Sequence, residues 1–406
     1  MQTAALYAKI KMYTQKNRNN ERKTDMKFTK IAAAALAAAL MLSSCGGSPE
    51  AADTAPSDTP AEEAPAAIRD ISSVELVSEM KVGWNLGNTL DATGSRDLSS
   101  EKSWGAPRIT DEMIETVKAA GFNVIRIPTT WYNHMDEEQN IDPEWMARVK
   151  EVVDYAIDGE TFVILNIHHE DWNHTFADNK DKAVETEIKV WSQIAETFKN
   201  YDEHLIFEGQ NEPRMVGTDM EWSEGNQDAY DVINAVNAAF IETVRSSGGN
   251  NAKRHLMIPG YAAKYSDTVL QNLEIPENDD KIIVSVHAYT PYNFALNKNG
   301  GKVFLTEKEA STRDIDDMVR SLKENLVDKG IAVIIGETGA MDKDNLESRV
   351  EWAQYFTKSA RSIGVPCLWW DNHAFTSGET FGMLKLTTLE WQYPEVLEAF
   401  VNGAKG

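Results

Sequence analysis

The chain has 406 residues and a formal net charge of −24. This acidity argues against nucleic acids and anionic substrates as partners, because the field of the protein repels both. Its 11 tryptophans and 12 tyrosines are enough to line a cleft as well as to fill a core. The two cysteines, Cys45 and Cys367, stand in very different contexts, so we expect no disulfide framework.

The N-terminal region reads as an export signal. After Met26, two lysines precede the apolar run 31–42, which is shorter than the roughly 20 residues that a membrane-spanning helix needs. This pattern predicts a secretory signal peptide. Residues 1–25 lie ahead of this signal peptide. A start codon assigned too early would explain their presence. The tetrapeptide LSSC ending at Cys45 resembles a bacterial lipobox, in which cleavage precedes a lipidated cysteine; the alternative is an ordinary signal peptide with an accidental cysteine.

We therefore divide the chain into three parts. Residues 1–45 form a leader and lipoprotein signal, with Cys45 as the lipidation site. Residues 46–70 form a linker, because residues 48–67 contain only Ala, Pro, Ser, Thr, Asp and Glu and cannot form a core. Residues 71–406 form one globular domain. We expect an exported, monomeric lipoprotein at the cell surface or outer membrane, bound to the membrane through its lipid anchor only.

The globular part alternates between two kinds of pattern. Short apolar runs bounded by turn residues predict eight strands, at 81–86, 124–128, 162–168, 204–208, 256–259, 282–287, 332–337 and 367–371. Helical spacing of apolar residues lies between them, at 109–120, 143–158, 232–245, 265–273, 315–329 and 346–363. Thr110 is a candidate N-cap for the first helix, and Asp142 with Pro143 forms a cap and first-turn pair for the second.

This alternation predicts an α/β fold. The strands are mostly apolar on both faces, which indicates a parallel sheet covered by helices. Eight strand–helix units in roughly 335 residues match a closed (β/α)8 TIM barrel. A doubly wound open sheet is the alternative.

Polar and aromatic residues recur at the C-terminal ends of the predicted strands. In a barrel these ends converge on one face, where active sites lie. The residues are Arg126, His168, Asn211, Glu212, His287, Tyr289, Glu337 and Trp370.

Two carboxylic acids in this group, Glu212 and Glu337, could face each other across a bound substrate. A facing carboxyl pair is what cleavage of a glycosidic bond needs. Arg126 and Tyr289 could hold Glu337 ionised, which suits a nucleophile and leaves Glu212 as the acid and base. Asn211 could bind the 2-hydroxyl of the sugar.

Each of these residues also has a simpler interpretation. A glutamate at a strand end is often a helix cap or a surface charge, and Arg126 could serve a structural ion pair. His168 and His169 could be solvated loop residues or could suggest a metal. No third ligand stands at a recognisable spacing, so we expect no metal. The stretch GWNLGN lacks the dinucleotide fingerprint, and we expect no cofactor.

The chain resembles glycoside hydrolase family five, the retaining β-glycanases, and is most similar to its bacterial endoglucanase and xyloglucanase subfamily. The resemblance covers roughly residues 71–406, and the stretches that carry it stand in the order of the family: GWNLGNTLDA, SWGAP, GFNVIRIPTTW, LNIHHE, FEGQNEPR, VHAYTPYNF, GETGA and WWDN. The resemblance implies a (β/α)8 barrel with Glu212 as acid/base and Glu337 as nucleophile. It places Arg126, His168, Asn211, His287 and Tyr289 around the cleaved sugar.

The resemblance also implies the rest of the substrate site. Trp370 forms the platform beneath the sugar, rather than Trp369, because adjacent strand residues point to opposite faces. Asn88, Trp131 and His134 line the subsites toward the non-reducing end.

The implied activity is that of a retaining endo-β-1,4-glucanase acting on β-glucan polysaccharides or oligosaccharides. Xyloglucan, mixed-linkage glucan, xylan and mannan are alternative substrates within the family. A non-catalytic glycan-binding lipoprotein is the alternative from another class, and the intact acid pair argues against it. The fold alone would not decide between them.

Overall fold

The computed structural model describes residues 66–405. The predicted signal peptide, Cys45 and most of the predicted linker lie outside the described residues. No helix within residues 66–405 combines the length and the apolar character needed to cross a lipid bilayer.

Eight parallel strands close into a barrel in chain order. The first strand pairs with both the second and the eighth, which confirms the closed barrel and excludes the open sheet. The strands are β1 (Val82–Leu86), β2 (Val124–Ile127), β3 (Phe162–Asn166), β4 (Leu205–Glu208), β5 (Leu256–Pro259), β6 (Ile282–His287), β7 (Ala332–Thr338) and β8 (Cys367–Asp371). All eight lie where the apolar runs predict them.

Helices cover the outside of the barrel and connect its strands. They are α1 (Ser73–Glu79), α2 (Asp111–Ala119), α3 (Pro143–Ala156), α4 (Lys180–Thr197), α5 (Gln227–Ser246), α6 (Asp267–Gln271), α7 (Tyr292–Ala295), α8 (Glu309–Asn325), α9 (Leu346–Arg361) and α10 (Pro394–Gly403). The predicted cap of α3 is confirmed, since the side chain of Asp142 accepts a hydrogen bond from the Glu144 amide. Thr110 occupies the N-cap position of α2, but its side chain makes no capping hydrogen bond.

The N-terminal end of the barrel is closed by α1. A capping box between Ser72 and Glu75 begins this helix. Its residues Leu76 and Val77 and its C-cap Met80 pack against the inward-facing side chains at the bottom of the strands, which include Val124, Phe162, Ile164, Ile206, Met257, Ile283, Ile334 and Leu368. Because apolar side chains fill this end of the barrel, a site with polar side chains can form only at the opposite end.

The segment after β8 folds back over the barrel. A two-stranded antiparallel ribbon forms from β9 (Leu384–Lys385) and β10 (Glu390–Trp391). The buried carboxylate of Asp371, at the end of β8, accepts hydrogen bonds from the Met383 and Leu384 amides and from the Trp84 indole. This carboxylate fixes the segment between β8 and β9 beside the C-terminal face.

Candidate active site

A buried polar layer separates the apolar bottom of the barrel from its C-terminal mouth. Arg126 lies fully buried at its centre and donates from Nε to Glu208 (2.7 Å) and from Nη1 to Asn85 (2.9 Å). The other carboxylate oxygen of Glu208 accepts from Ser285 (2.6 Å), and Asn166 donates to the same oxygen as Arg126 (3.1 Å). Every member has partners, as buried polar groups require. Four strands thus orient one guanidinium.

Glu337 receives two hydrogen bonds at the top of this layer. Nη1 of Arg126 donates to one oxygen (2.7 Å), and the hydroxyl of Tyr289 donates to the other (2.9 Å). Burial and the charge of Glu337 raise the pKa of Tyr289 well above its usual range, so the phenol keeps its proton and remains a donor. Both predicted contacts to Glu337 are present.

An irregularity in the sheet brings Glu337 to its position. Ser285 pairs with Ile334 and Val286 with Ile335, but His287 pairs with Glu337, so Gly336 is an extra residue. Side chains in a regular strand alternate between faces, and Glu337 would otherwise point away from His287. The extra residue places the carboxylate beside His287 at the mouth.

Glu212 lies opposite, just after β4. One of its oxygens is 2.8 Å from Nδ1 of His287, and the same nitrogen is 3.5 Å from an oxygen of Glu337. Facing oxygens of the two glutamates lie within 4.8 Å of each other. The two acids that the sequence singles out are therefore brought together, with His287 between them.

Glu212 and His287 are coupled electrostatically. Burial raises the pKa of Glu212, but the hydrogen bond from His287 and the charges of His287, Arg214 and His169 outweigh it and lower this pKa overall. Burial lowers the pKa of His287, yet the charges of Glu337 and Glu212 raise it above its usual value. The hydrogen bond between them therefore favours protonated His287 beside ionised Glu212.

The hydrogen bonds around His168 determine its tautomer. The Thr129 amide donates to the side-chain oxygen of Asn166 (3.1 Å), so the nitrogen of this side chain donates to Nδ1 of His168 (3.1 Å). Burial lowers the pKa of His168 well below its usual range, so the ring is neutral. The ring therefore carries its proton on Nε2, which can donate to a ligand.

Asn211 and Trp370 complete the floor of the mouth. The side-chain oxygen of Asn211 accepts from Arg126 (2.7 Å). The indole of Trp370 lies parallel to the ring of His168, with centroids 5.6 Å apart and an interplanar angle of 3°. Trp369 points outward, where its ring packs edge-on against Trp352. The two neighbouring tryptophans thus lie on opposite faces of β8, as predicted.

Comparisons with known proteins agree with this geometry. The family model described as cellulase (glycosyl hydrolase family 5) matches residues 87–376. Endoglucanase 1 of Ruminococcus albus is 47% identical over 338 residues, which are 82% of this chain and 82% of that protein.

Two solved structures are also similar. A broad-specificity endoglucanase from Ruminococcus champanellensis with bound cellotriose has a TM-score of 0.80 and 45% identity, covering 83% of this chain and all of that one (100%). A xyloglucan-specific endo-β-1,4-glucanase from a metagenomic library, in complex with cellotriose, has a TM-score of 0.78 and 43% identity, covering 81% of this chain and 98% of that one.

The chain belongs to glycosyl hydrolase family 5, the cellulases. It is a glycoside hydrolase of the endoglucanase type.

Two predicted substrate contacts of this family 5 hydrolase need correction. Trp131 is fully buried, and its indole donates to the carbonyl of Asn166 (3.0 Å), so it cannot touch a sugar. His134 is also buried and stacks on Trp145 of α3, with centroids 3.6 Å apart. Burial lowers the pKa of His134 to about 4, so the ring is neutral and structural.

Asn88 is partly exposed after β1, and its amide donates to Asp91 (3.1 Å). Its backbone φ is +57°, a left-handed conformation that asparagine tolerates. No contact of its side chain within the described residues assigns it to a subsite, so its role stays a prediction.

The cleft of the hydrolase is also lined by residues that the sequence did not assign to the substrate site. It has a volume of about 250 Å³ beside Glu212 and His168. Tyr132, the residue after Trp131, lines it, as do Trp104, His169, His174 and Arg214. Trp104 lies in the SWGAP stretch and Arg214 in FEGQNEPR, so the stretches pointed to these positions. The sequence did not show which side chains in each stretch face the cleft.

Glu170 supports one wall of this cleft. Its carboxylate accepts from the amides of Trp131 (2.6 Å) and Tyr132 (3.0 Å) and from the indole of Trp172 (2.6 Å). Burial raises its pKa to about 8. The carboxyl group joins the segments after β2 and β3, and it thereby holds Tyr132 in place.

The histidine pair beside the cleft is poorly suited to a metal. Asp91, His168 and His169 have potential ligand atoms within 4.8 Å of one another. Both oxygens of Asp91 already accept backbone amides, those of Asn88 and Thr89. Nδ1 of His168 accepts from Asn166, and the protonated Nε2 has no free lone pair.

Proposed function

We propose that this endoglucanase hydrolyses internal β-1,4 bonds of β-glucans with retention of configuration, with Glu337 as nucleophile and Glu212 as acid/base. The observation that carries the proposal is the separation of the two acids, whose facing oxygens lie within 4.8 Å. Retaining enzymes hold their carboxyl groups about 5–5.5 Å apart, whereas inverting enzymes need about 6.5–9.5 Å to admit a water.

In the first step, an oxygen of Glu337 attacks the anomeric carbon and the bond to the departing sugar oxygen breaks. Arg126 and Tyr289 orient the attacking carboxylate. Glu212 donates a proton to the departing oxygen. This proton comes from the pair that Glu212 forms with His287.

In the second step, water attacks the anomeric carbon of the glycosyl-enzyme. Glu212 accepts a proton from this water, and Glu337 leaves as a carboxylate. Glu212 gave its proton to the departing oxygen in the first step, and because esterification has removed the charge of Glu337, its ionised form is favoured until water attacks. Arg214 stabilises the ionised form of Glu212, since its guanidinium lies 3.8 Å from the second oxygen.

The remaining residues bind the sugar on which the reaction takes place. The Nε2 proton of His168 donates to a sugar hydroxyl, and the side-chain nitrogen of Asn211 is left to bind the 2-hydroxyl while its oxygen accepts from Arg126. Trp370 provides an apolar surface beneath the ring. Contacts to the 2-hydroxyl strengthen in the transition state, so Asn211 contributes more to turnover than to binding.

Soluble β-1,4-glucan is the proposed substrate. The open cleft and the endoglucanases among the relatives support it. Xyloglucan is the second candidate, because the chain is 43% identical to a xyloglucan-specific enzyme and 45% identical to a broad-specificity one. Mixed-linkage glucan, xylan and mannan remain alternatives.

A hydrolysis panel of soluble polysaccharides with sizing of the products tests this proposal. We expect a rapid fall in the chain length of β-1,4-glucan with a slow release of reducing ends, as internal cleavage produces. Glu337→Gln serves as the control, since it keeps the shape of the site without the nucleophile. A protein that binds glucan but releases no products from any substrate would support the glycan-binding alternative instead.

We also propose that the enzyme is exported and anchored by a lipid on Cys45, with the hydrolase domain outside the cytoplasm and monomeric. The LSSC stretch after an apolar run supports this proposal. Cys45→Ser should leave the protein unlipidated and absent from the membrane fraction. A wild-type protein that is wholly soluble and has an unmodified N-terminus would refute the anchor.

A further inference from the structure

The segment between Glu212 and α5 carries a charged and aromatic cluster beside the cleft. Arg214 lines the cleft. Its Nε donates to Glu221 (3.1 Å), and its Nη1 donates to the backbone carbonyl of Glu212 (3.0 Å). The guanidinium also lies over the ring of Trp222, 4.2 Å from its centroid. These contacts fix the guanidinium from three directions.

Trp222 is one of the most exposed aromatic residues described, with 58% of its surface accessible. Because Arg214 covers one face of the indole, the exposed area includes the opposite face. A large apolar ring in water needs an explanation when it lies next to a substrate cleft.

The segment is anchored, so this exposure does not come from a loose loop. The hydroxyl of Tyr261 accepts from the Met215 amide (3.2 Å) and donates to the carbonyl of Met220 (2.8 Å). Nζ of Lys264 donates to the carbonyl of Trp222 (2.8 Å). A ring held in this way offers contact area at a small cost in conformational entropy.

The position of the cluster indicates which part of the substrate it meets. One oxygen of Glu212 faces His287 and Glu337, and the other lies 3.8 Å from Arg214. Arg214 and Trp222 therefore lie beyond Glu212, on the side away from Glu337. In a retaining reaction the glycone is bonded to Glu337, and the departing oxygen leaves past the acid.

We infer that Arg214 and Trp222 form a leaving-group subsite, in which the free face of Trp222 stacks on a glucosyl ring of the departing chain and Arg214 donates to its hydroxyls. The inference rests on the proposed roles of Glu212 and Glu337. It assigns a substrate class, the reducing-end side of a β-glucan chain, to a surface that those roles do not explain.

Two substrates distinguish a loss of binding at this subsite from a loss of the catalytic step. Cellohexaose has leaving-group sugars that can reach Trp222, whereas the aryl group of 4-nitrophenyl β-cellobioside is a single ring at the acid. Trp222→Ala should lower kcat/KM for cellohexaose about tenfold, the size of one aromatic contact. The same variant should cleave the aryl substrate as fast as the wild type does. Trp222→Phe keeps a ring and should retain most of the activity on cellohexaose.

The outcomes are distinguishable. An equal loss on both substrates, or no loss on either, overturns the subsite while leaving the proposed function intact. If the wild type cleaves neither substrate, the proposed function fails and the inference fails with it. A thermal melt of each variant shows whether the fold is retained. If Trp222→Ala does not fold, Trp222→Leu, which fills space without an aromatic face, takes its place with the same pair of substrates and the same expected loss on cellohexaose.

Discussion

Arg126 lies between Glu208 and Glu337, with a nitrogen 2.7 Å from an oxygen of each. All three side chains are buried or nearly so. A buried charge left without its partner costs about 3–5 kcal/mol. The guanidinium therefore both stabilises the barrel mouth and orients one oxygen of Glu337 toward the substrate, so its structural and chemical roles cannot be separated by a single substitution.

Glu337→Gln tests the nucleophile. The amide keeps the volume of the side chain but cannot form the glycosyl ester, so turnover should fall by about 10⁴-fold or more. A fluoroglycoside that labels the wild type should no longer add mass to the variant. Glu379→Gln is the matched control, because the charges of Glu212 and Glu337 both act on Glu379, which has no proposed role. Near-normal turnover by Glu337→Gln would refute the assignment.

Glu212→Ala tests the acid/base. Substrates with poor leaving groups should slow far more than aryl glycosides, because only a poor leaving group needs a proton from the enzyme. Added azide should restore turnover of an aryl glycoside and yield a β-glycosyl azide, since this anion attacks without a base. Equal slowing of both substrate classes, together with no effect of azide, would show that Glu212 has another role.

At the scale of elements, the pairing of β6 with β7 is what assembles the acid pair. Gly336 is the extra residue, and it lets His287 pair with Glu337. The position of Glu337 near the end of an apolar strand was readable in the sequence. The register was not, because it depends on contacts with a strand that lies about fifty residues away in the chain.

The helix α4 was not predicted, although its buried residues Val184, Ile188, Trp191 and Ala195 have helical spacing. Its buried face also carries Glu187, fully inaccessible and without a hydrogen-bond partner for either oxygen among the described residues. The nearby indole of Trp191 donates instead to Gly209 (3.3 Å). A charged residue on the face that packs against the barrel obscured the apolar stripe.

Glu187→Gln should stabilise the protein at alkaline pH. Burial raises the pKa of Glu187 well above its usual value. The native state therefore binds more protons than the unfolded state above the unfolded pKa of about 4.3, and stability falls as pH rises. Relative to the wild type, the variant should therefore gain more stability at pH 8 than at pH 4.

Urea unfolding of wild type and variant at the two pH values measures this difference. Glu185→Gln, on the exposed face of the same helix, is the matched control and should show no such dependence on pH. Glu170, whose pKa burial raises to about 8 and whose charge also raises the pKa of Glu187, adds a slope of the same sign to both proteins. A gain for Glu187→Gln that is the same at both pH values would contradict the buried neutral acid.

At the scale of the whole molecule, the apolar residues that stabilise the barrel and the polar residues of the active site lie at opposite ends. The helix α1 and an apolar layer close one end, and the polar layer around Arg126 opens toward the other. The segments that follow β1, β2, β3 and β4 then form the walls of the cleft. This division allows the wall segments to differ between relatives of different specificity without changing the strands that hold the acids.

The stereochemistry of the products tests the whole arrangement. Because Glu212 and Glu337 lie too close together to admit a water between them, the reaction should proceed through a glycosyl-enzyme and give the β-anomer first. Proton NMR of the earliest products should show that signal, with the α-anomer growing only through mutarotation. An initial α signal would mean that a water lies between Glu212 and Glu337, and Glu337 would then act as a general base.

The sequence by itself determined the barrel, its eight strands and the two acids. Apolar runs and their spacing are local properties, and they survive in the fold because each strand is buried on both faces. Short stretches such as FEGQNEPR and GETGA placed Glu212 and Glu337 at strand ends, where a barrel gathers them.

Only the tertiary structure decided which neighbouring side chain faces the substrate. Trp131 was expected in the cleft and is buried, whereas Tyr132 beside it lines the wall. An irregular segment has no helical or strand repeat that would determine where a side chain points. It follows from partners distant in the chain, here the Glu170 carboxylate that binds both amides. The position of Trp222 against Arg214 has the same kind of origin, since Tyr261 and Lys264 hold its segment in place.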